Sequence, residues 1–195
     1  IVGINIPLTH ITDEEMTKKL TLESAVQDYC YSFKKIYKYG DYITINISCP
    51  NTADGKQFGQ DPSGLQRLLR ALKKEEDRIL NENKNQKRKP IFVKISADAA
   101  AADETEESCK EILKICEENK IDGYVIGNTT TTRVGLDKTN PAIYKNMNGG
   151  LSGRPLKKKS TKLIRLAYQF LKENNPEKKP QIIGVGGIET AEDVL

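Results

Sequence analysis

Tyr42-Ile43-Thr44-Ile45-Asn46-Ile47-Ser48-Cys49-Pro50-Asn51-Thr52 runs from an apolar strand straight into a polar loop. Isoleucine recurs at 43, 45 and 47, the two-residue period of a β-strand. Upstream, Val2 to Ile6 reads as another strand. Between the two, Thr21 to Tyr39 reads as a helix, with Leu22, Ala25, Val26, Tyr29, Phe33, Ile36 and Tyr37 at helical spacing and Gly40 as its C-terminal cap. Downstream the alternation continues. Leu65, Leu68, Leu69 and Leu72 mark a helix, Ile91 to Ile95 a strand, and Cys109, Ile112, Leu113 and Cys116 a helix. Tyr124 to Ile126 is a fourth strand. Ser160 to Leu171 is a helix with Ile164, Ala167, Tyr168 and Leu171 inward, and Gln181 to Val185 is a fifth strand that ends in Gly186-Gly187. Thr190 and Asp193 form a capping-box pair beyond it.

Strands alternating with helices pair in parallel, as a doubly wound sheet or a barrel. Periodicity does not choose between them, but the polar residues lean one way. Asn46, Lys94, Asn128 and Gly186 fall at or just past the C-terminal ends of successive strands, and Asn5 fits the same scheme on the first. That is the face on which barrel enzymes build their sites. The expectation is an α/β protein with a (β/α)8 TIM-barrel fold, one domain over residues 1–195. The chain opens on a strand with no initiator Met and closes on a helix just beginning, so a piece truncated at both ends is expected.

The composition suits a globular protein: 195 residues, 37% hydrophobic, 30% charged, formal net charge +4. The longest apolar runs are strand-sized, far short of the roughly 20 residues a membrane span needs. The basic run Lys84-Asn85-Gln86-Lys87-Arg88-Lys89 reads as a solvated loop. No aromatic residue interleaves with it, and no nucleic-acid partner is expected. Cys30, Cys49, Cys109 and Cys116 show no CxxC pairing, and His10 is the sole histidine. Neither a metal site nor a disulfide scaffold is expected, and a reducing cytoplasm is. Cys30, Cys109 and Cys116 lie on helical apolar stripes and read as packing.

Cys49 differs, because it follows a strand directly. A cysteine there reads as buried packing, a nucleophile or a general base. The flanking Asn46 and Asn51 suit a planar ligand that needs hydrogen bonds. Asn-Ile-Ser-Cys-Pro-Asn-Thr at 46–52 is similar to the active-site strand and loop of the dihydroorotate dehydrogenases. The likeness continues in order. Gly3-Ile4-Asn5 resembles that family's third-strand flavin motif, Val93-Lys94-Ile95 its fifth strand, and Gly127-Asn128-Thr129-Thr130 its sixth. Gly149-Gly150-Leu151-Ser152-Gly153-Arg154-Pro155-Leu156, followed by Ser160-Thr161, resembles its most distinctive stretch. Ile183-Gly184-Val185-Gly186-Gly187-Ile188 resembles its seventh strand and phosphate loop. The chain would thus supply about the third to the seventh of eight barrel strands.

The resemblance implies an FMN enzyme that oxidises (S)-dihydroorotate to orotate in pyrimidine (UMP) biosynthesis. It makes Cys49 the base and assigns the substrate to Asn46, Asn51, Asn128 and Thr129. It assigns the cofactor to Asn5, Asn46, Lys94, Asn128, Ser152, Gly153, Val185, Gly186 and Gly187. The Asn-Thr-Thr and Gly-Gly-Leu-Ser-Gly stretches resemble the class 2, membrane-associated enzymes, which implies a quinone as electron acceptor. Cysteine in place of serine at position 49 resembles class 1, whose acceptors are fumarate or NAD. Contact with an inner bacterial or mitochondrial membrane is then expected only through segments outside this chain. Two alternatives remain: an FMN barrel like dihydropyrimidine dehydrogenase, and a non-catalytic barrel remnant that binds a phosphate ligand or a partner.

Overall fold

The computed structural model describes residues 1–9, 21–48, 57–96, 105–134, 136, 144 and 149–194. Among these residues five strands form one parallel sheet: β1 (Gly3–Pro7), β2 (Tyr42–Asn46), β3 (Ile91–Ile95), β4 (Gly123–Ile126) and β5 (Ile182–Gly184). Their spatial order equals their chain order. Interleaved with them are α1 (Leu22–Ile36), α2 (Gln57–Gln60), α3 (Pro62–Glu82), α4 (Thr105–Glu118) and α5 (Lys157–Asn174).

A doubly wound sheet reverses its strand order and carries helices on both faces. Here the order never reverses, and the helices share one face. Ile43, Ile45, Ile47, Ile91, Val93, Ile95, Tyr124 and Ile126 are at most 1% exposed and join one core with side chains of α1, α3, α4 and α5. Along that face α1 packs on α3, α3 on α4, and α4 on α5. The alternate strand residues point the other way. Asn5, Thr44 and Phe92 lie side by side in one row, and Asn46, Lys94, Val125 and Ile183 in the next. This is an arc of a (β/α)8 barrel seen from its inner face.

Local chemistry explains where the helices begin. Thr21 caps α1: its Oγ1 accepts from the Ser24 N–H at 3.1 Å, and Ser24 Oγ accepts from the Thr21 N–H at 2.8 Å. Asp61 caps α3 ahead of Pro62, whose missing N–H costs nothing in a first turn. The apolar stripes Ala25, Val26, Tyr29, Phe33 and Leu65, Leu68, Leu69, Leu72 then face the sheet. Burying such a stripe stabilises the helix far more than propensity does, by about 1.5–3 kcal/mol per large side chain.

Three sequence expectations need correction. Gly40 is not a left-handed cap: α1 ends on Tyr37, whose N–H bonds the Phe33 carbonyl, and Gly40 has no positive φ. A side chain at Gly40 would crowd Ile4 Cγ1 and the Tyr42 carbonyl, each at 3.0 Å. Tyr168 is exposed, because Leu163, Ala167 and Leu171 make the buried stripe of α5 and Ile164 is only partly covered. That helix also extends beyond Ser160–Leu171 at both ends. The remaining boundaries differ by a few residues, as helix and strand ends do.

Charged groups gather at the end of the sheet where the strands begin. The buried Glu76 carboxylate accepts from Tyr37 Oη at 3.2 Å and Lys73 Nζ at 3.2 Å, with Arg88 3.7 Å away. Arg88 also forks onto Asp122 at 2.9 and 2.8 Å. Burial pushes the Tyr37 phenol up to about 12, so it stays a donor across the physiological range. Among the described residues no helix is long and apolar enough to cross a membrane.

Thr190 and Asp193 do form a capping box, on a 3-10 turn at Ala191–Asp193. Asp193 Oδ2 accepts from the Glu189 and Thr190 N–H groups at 2.8 and 3.1 Å, and Lys157 pairs with its other oxygen. Lys157 above all, then the two N–H groups, hold this carboxyl down at about 2. A depressed folded value means the stabilisation is present above the ordinary carboxylate value of 3.8 and is lost as pH falls through about 2. An NMR titration of the Glu189 and Thr190 amides should therefore give a midpoint near 2; a midpoint at the ordinary value would contradict the pairing.

Candidate active site

The ends of β2, β3 and β4 bring three predicted residues together. Asn46 and Lys94 are register partners on neighbouring strands, so both side chains rise from the inner face. Two residues on, Ser48 ties the cluster. Its N–H and its Oγ each donate to Asn46 Oδ1 at 3.2 Å, and Oγ also lies 3.3 Å from the Lys94 carbonyl. Asn128, just past β4, donates from Nδ2 to the Ser48 carbonyl at 2.7 Å. The Ser48 main chain therefore orients both amides. Asn46 must turn its oxygen toward an N–H, and Asn128 its nitrogen toward a C=O.

Helix α1 supports this cluster from behind. The Tyr29 hydroxyl, fully buried, donates to the Asn46 carbonyl at 2.7 Å, and its ring meets Phe58 edge-on with centroids 5.6 Å apart. Asn46 thus stands on the end of β2, which is bonded from the core side, with Lys94 beside it on β3. Lys94 is half-buried. It is the one charged residue of an otherwise apolar strand.

A glycine-rich rim continues from Asn128. Thr129 Oγ1 reaches against Gly150, where an added Cβ would lie 1.9 Å from it. Thr130 and Leu151 exchange backbone hydrogen bonds at 3.0 and 2.7 Å. Lys159 Nζ bonds the Thr130 and Thr132 hydroxyls at 3.1 Å each, and Arg133 bonds the Gly149 carbonyl at 2.8 Å. Next come Ser152 and Gly153, then a 3-10 turn at Arg154–Leu156 that opens α5. Gly186 and Gly187, at φ +106 and +76, lie against that opening turn: a Cβ on Gly187 would fall 2.4 Å from the Lys157 nitrogen. Ser160, buried on α5, puts Oγ 2.6 Å from the Gly186 carbonyl. Arg154–Glu189 at 2.9 Å also binds the same loop to the helix.

The other expected residues fall less centrally. Asn5 is on the same inner face, but one row nearer the strand beginnings than Asn46 and Lys94. Val185 passes over Gly127, its N–H bonded to the Ile126 carbonyl at 2.9 Å, and the residue is 40% exposed. Cys49, Asn51 and His10 lie outside the described residues. Of the remaining thiols, Cys109 is pushed up to about 12 by burial, then by Glu106, and burial drives Cys116 higher still. Cys30 is half-buried and pushed up to about 11, by burial and then by Glu75 and Glu23. None of these three is a ready thiolate at neutral pH. Ser48 and Ser160 also matter to the site, yet periodicity does not single them out, and it marks Tyr29 only as a core residue of its helix. The sequence signal of Ser48 and Ser160 is their place inside the motifs at 46–52 and 149–161.

Known proteins resemble the chain over most of its length. The family model for dihydroorotate dehydrogenase matches residues 4–195. A Christiangramia forsetii protein named dihydroorotate dehydrogenase (quinone) is 44% identical over 173 residues, covering 89% of this chain and 45% of the relative. One of the same name from Chloroflexus aurantiacus is 35% identical over 194 residues, covering 100% and 48%. The ligand-free dihydroorotate dehydrogenase of Eimeria tenella superimposes with a TM-score of 0.75 at 29% identity, covering 98% of this chain and 49% of that one. Its complex with ferulenol gives 0.72 over 87% and 44%. The chain spans about half the length of the curated relatives it matches.

Proposed function

The chain belongs to the dihydroorotate dehydrogenase family, and we propose that it supplies the central part of an enzyme that oxidises (S)-dihydroorotate to orotate on bound FMN. The observation that carries this reading is the convergence of Asn46, Lys94 and Asn128 at one strand-end rim, through Ser48, beside the glycine loop.

FMN fits the residues present. Gly153, Gly186 and Gly187 all adopt positive φ, and with no Cβ of their own they let backbone N–H groups approach an anion closely. A Cβ at Gly153 would meet nothing within 4 Å, so the rim is open there. Ser152, Gly153, Gly186 and Gly187 would hold the phosphate. Lys94 would set its ammonium at the flavin's pyrimidine edge, with Asn46, Asn128, Asn5 and Val185 lining the ring. When bound, FMN supplies the acceptor for the hydride that leaves C6 of the substrate.

The chain's own residues do the rest. Cys49 takes the proton from C5, and the C5–H electron pair forms the C5=C6 double bond as C6 loses its hydride. A thiol with an ordinary pKa of about 8.5 can do this near neutrality where its surroundings favour thiolate. Asn46, Asn51, Asn128 and Thr129 bind the carboxylate and ring amides, orienting the ring without a buried countercharge. The curated relatives are named for a quinone acceptor, which supports a quinone as the oxidant that closes the cycle. Membrane contact would come through segments outside this chain.

The reading is tested by anaerobic mixing of the full-length, flavin-loaded protein with each of two reductants. Dihydroorotate is expected to bleach the flavin absorbance and dihydrouracil to leave it unchanged. Bleaching by dihydrouracil alone would reassign the chain to a dihydropyrimidine dehydrogenase-like barrel. A colourless protein would leave only a phosphate- or partner-binding remnant.

A further inference from the structure

Ser160 belongs to a distinctive stretch, but no role in binding or chemistry has yet fallen to it. It sits in the first turns of α5, is 3% exposed, and has three carbonyl oxygens within reach of its hydroxyl. One is on the 3-10 turn just ahead of its helix, Leu156 at 2.9 Å, and one in the helix's own first turn, Lys157 at 3.3 Å. The third and nearest is Gly186 at 2.6 Å, across the gap to the loop after β5. A hydroxyl has one proton to donate, and the shortest contact is where it forms its strong bond.

That bond fixes a peptide plane. The Gly186–Gly187 peptide is flanked by two glycines at φ +106 and +76, positions where rotation meets no Cβ of their own. Without an anchor, such a peptide can turn over at little cost. In a planar trans peptide the C=O and the following N–H point in opposite directions. Holding the Gly186 oxygen against Ser160 therefore aims the Gly187 N–H away from the Ser160 hydroxyl. Gly187 is buried, and among the described residues nothing accepts a hydrogen bond from its N–H. A buried donor without a partner is costly unless a ligand takes it.

We infer that Ser160 is a positioning residue for the cofactor phosphate: by holding the Gly186 carbonyl it presents the Gly187 N–H to a phosphate oxygen. This rests on the FMN reading above and adds a residue that touches no ligand itself. Serine in a helix interior is a poorer helix former than alanine, and its back-bonding to its own turn lends the helix little. Ser160→Ala should thus preserve α5 while freeing the peptide.

The test is a fluorescence titration of full-length protein, stripped of flavin, with FMN and with riboflavin, which lacks the phosphate. Wild type is expected to prefer FMN strongly. Ser160→Ala should weaken FMN binding about tenfold or more, the loss of one charge-assisted hydrogen bond. Riboflavin affinity should stay as it was, and Ser160→Thr, which keeps the hydroxyl, should restore the preference. If Ser160→Ala weakens both flavins equally, or neither, the positioning role is overturned while the FMN reading stands. If wild type binds FMN no better than riboflavin, the phosphate cradle itself is wrong and both fall. Should Ser160→Ala fail to fold, Ser160→Cys, with its longer and weaker donor, should show the same selective loss; an unchanged FMN-to-riboflavin ratio in it overturns the role.

Discussion

Cys49→Ala in the full-length protein should slow flavin reduction by dihydroorotate by about 10²–10⁴-fold, the usual contribution of a positioned general base. Substrate binding should change little, because the amides at 46, 51 and 128 remain. No described thiol can take over: Cys109 and Cys116 are fully buried, and Cys30 is half-buried on α1 with its thiol held well above neutral. Cys49→Ser should retain part of the rate. Its pH profile should keep rising in alkali where the wild-type rate has levelled, because a serine hydroxyl ionises far above a thiol at about 8.5. Stopped-flow absorbance resolves both effects. A native reduction rate in Cys49→Ala would remove Cys49 from the mechanism.

The largest effect on folding is expected at Gly127, where β4 turns into the site. Its φ is +122, and an added Cβ would lie 2.0 Å from the Val185 carbonyl oxygen and 3.0 Å from its carbon. Neither atom belongs to a side chain that can swing aside. The Val185 N–H in turn bonds the Ile126 carbonyl, so retreat would unzip β4 from β5. Backbone strain of about 1–3 kcal/mol adds to the clash, and Gly127→Ala should exceed about 4 kcal/mol in total, the range reserved for severe substitutions. Against a typical stability of about 5–15 kcal/mol this leaves little folded protein. Gly149→Ala is the control. Its φ is also positive, at +104, but nothing lies within 4 Å of the added Cβ. Urea unfolding of the two variants should separate them by several kcal/mol, and equal losses would mean that the close approach at Val185 is not what Gly127 serves.

Sequence periodicity reached the strands and helices because each buries one face, and burial leaves a pattern at spacing two or 3.6. It could not separate barrel from doubly wound sheet, since both bury the same strand residues. That distinction depends on strand order and on where the helices lie, which only long-range pairing settles. Gly40 carries the signal of a left-handed cap because glycine commonly follows a helix, yet here it answers to the crowding of Ile4 and Tyr42. Tyr168 fits the helical spacing from Ile164 and Leu171, but the buried stripe runs through Leu163 and Ala167. Within the site, Asn46, Lys94, Asn128 and the glycine loop were legible because each sits at a strand end. Ser48 and Ser160 act through backbone carbonyls on other segments, and such bonds leave no period to read.

The central claim is that Cys49 meets dihydroorotate above the face that carries Asn46, Lys94 and Asn128. A crystal structure of the full-length protein with FMN and orotate measures this directly. Cys49 Sγ is expected within about 3.5 Å of orotate C5, the separation of reacting atoms in a productive complex, with Asn46 and Asn128 bonded to the ligand. Orotate bound elsewhere, or Cys49 Sγ turned away from C5 while the amides hold the ring, would contradict the account.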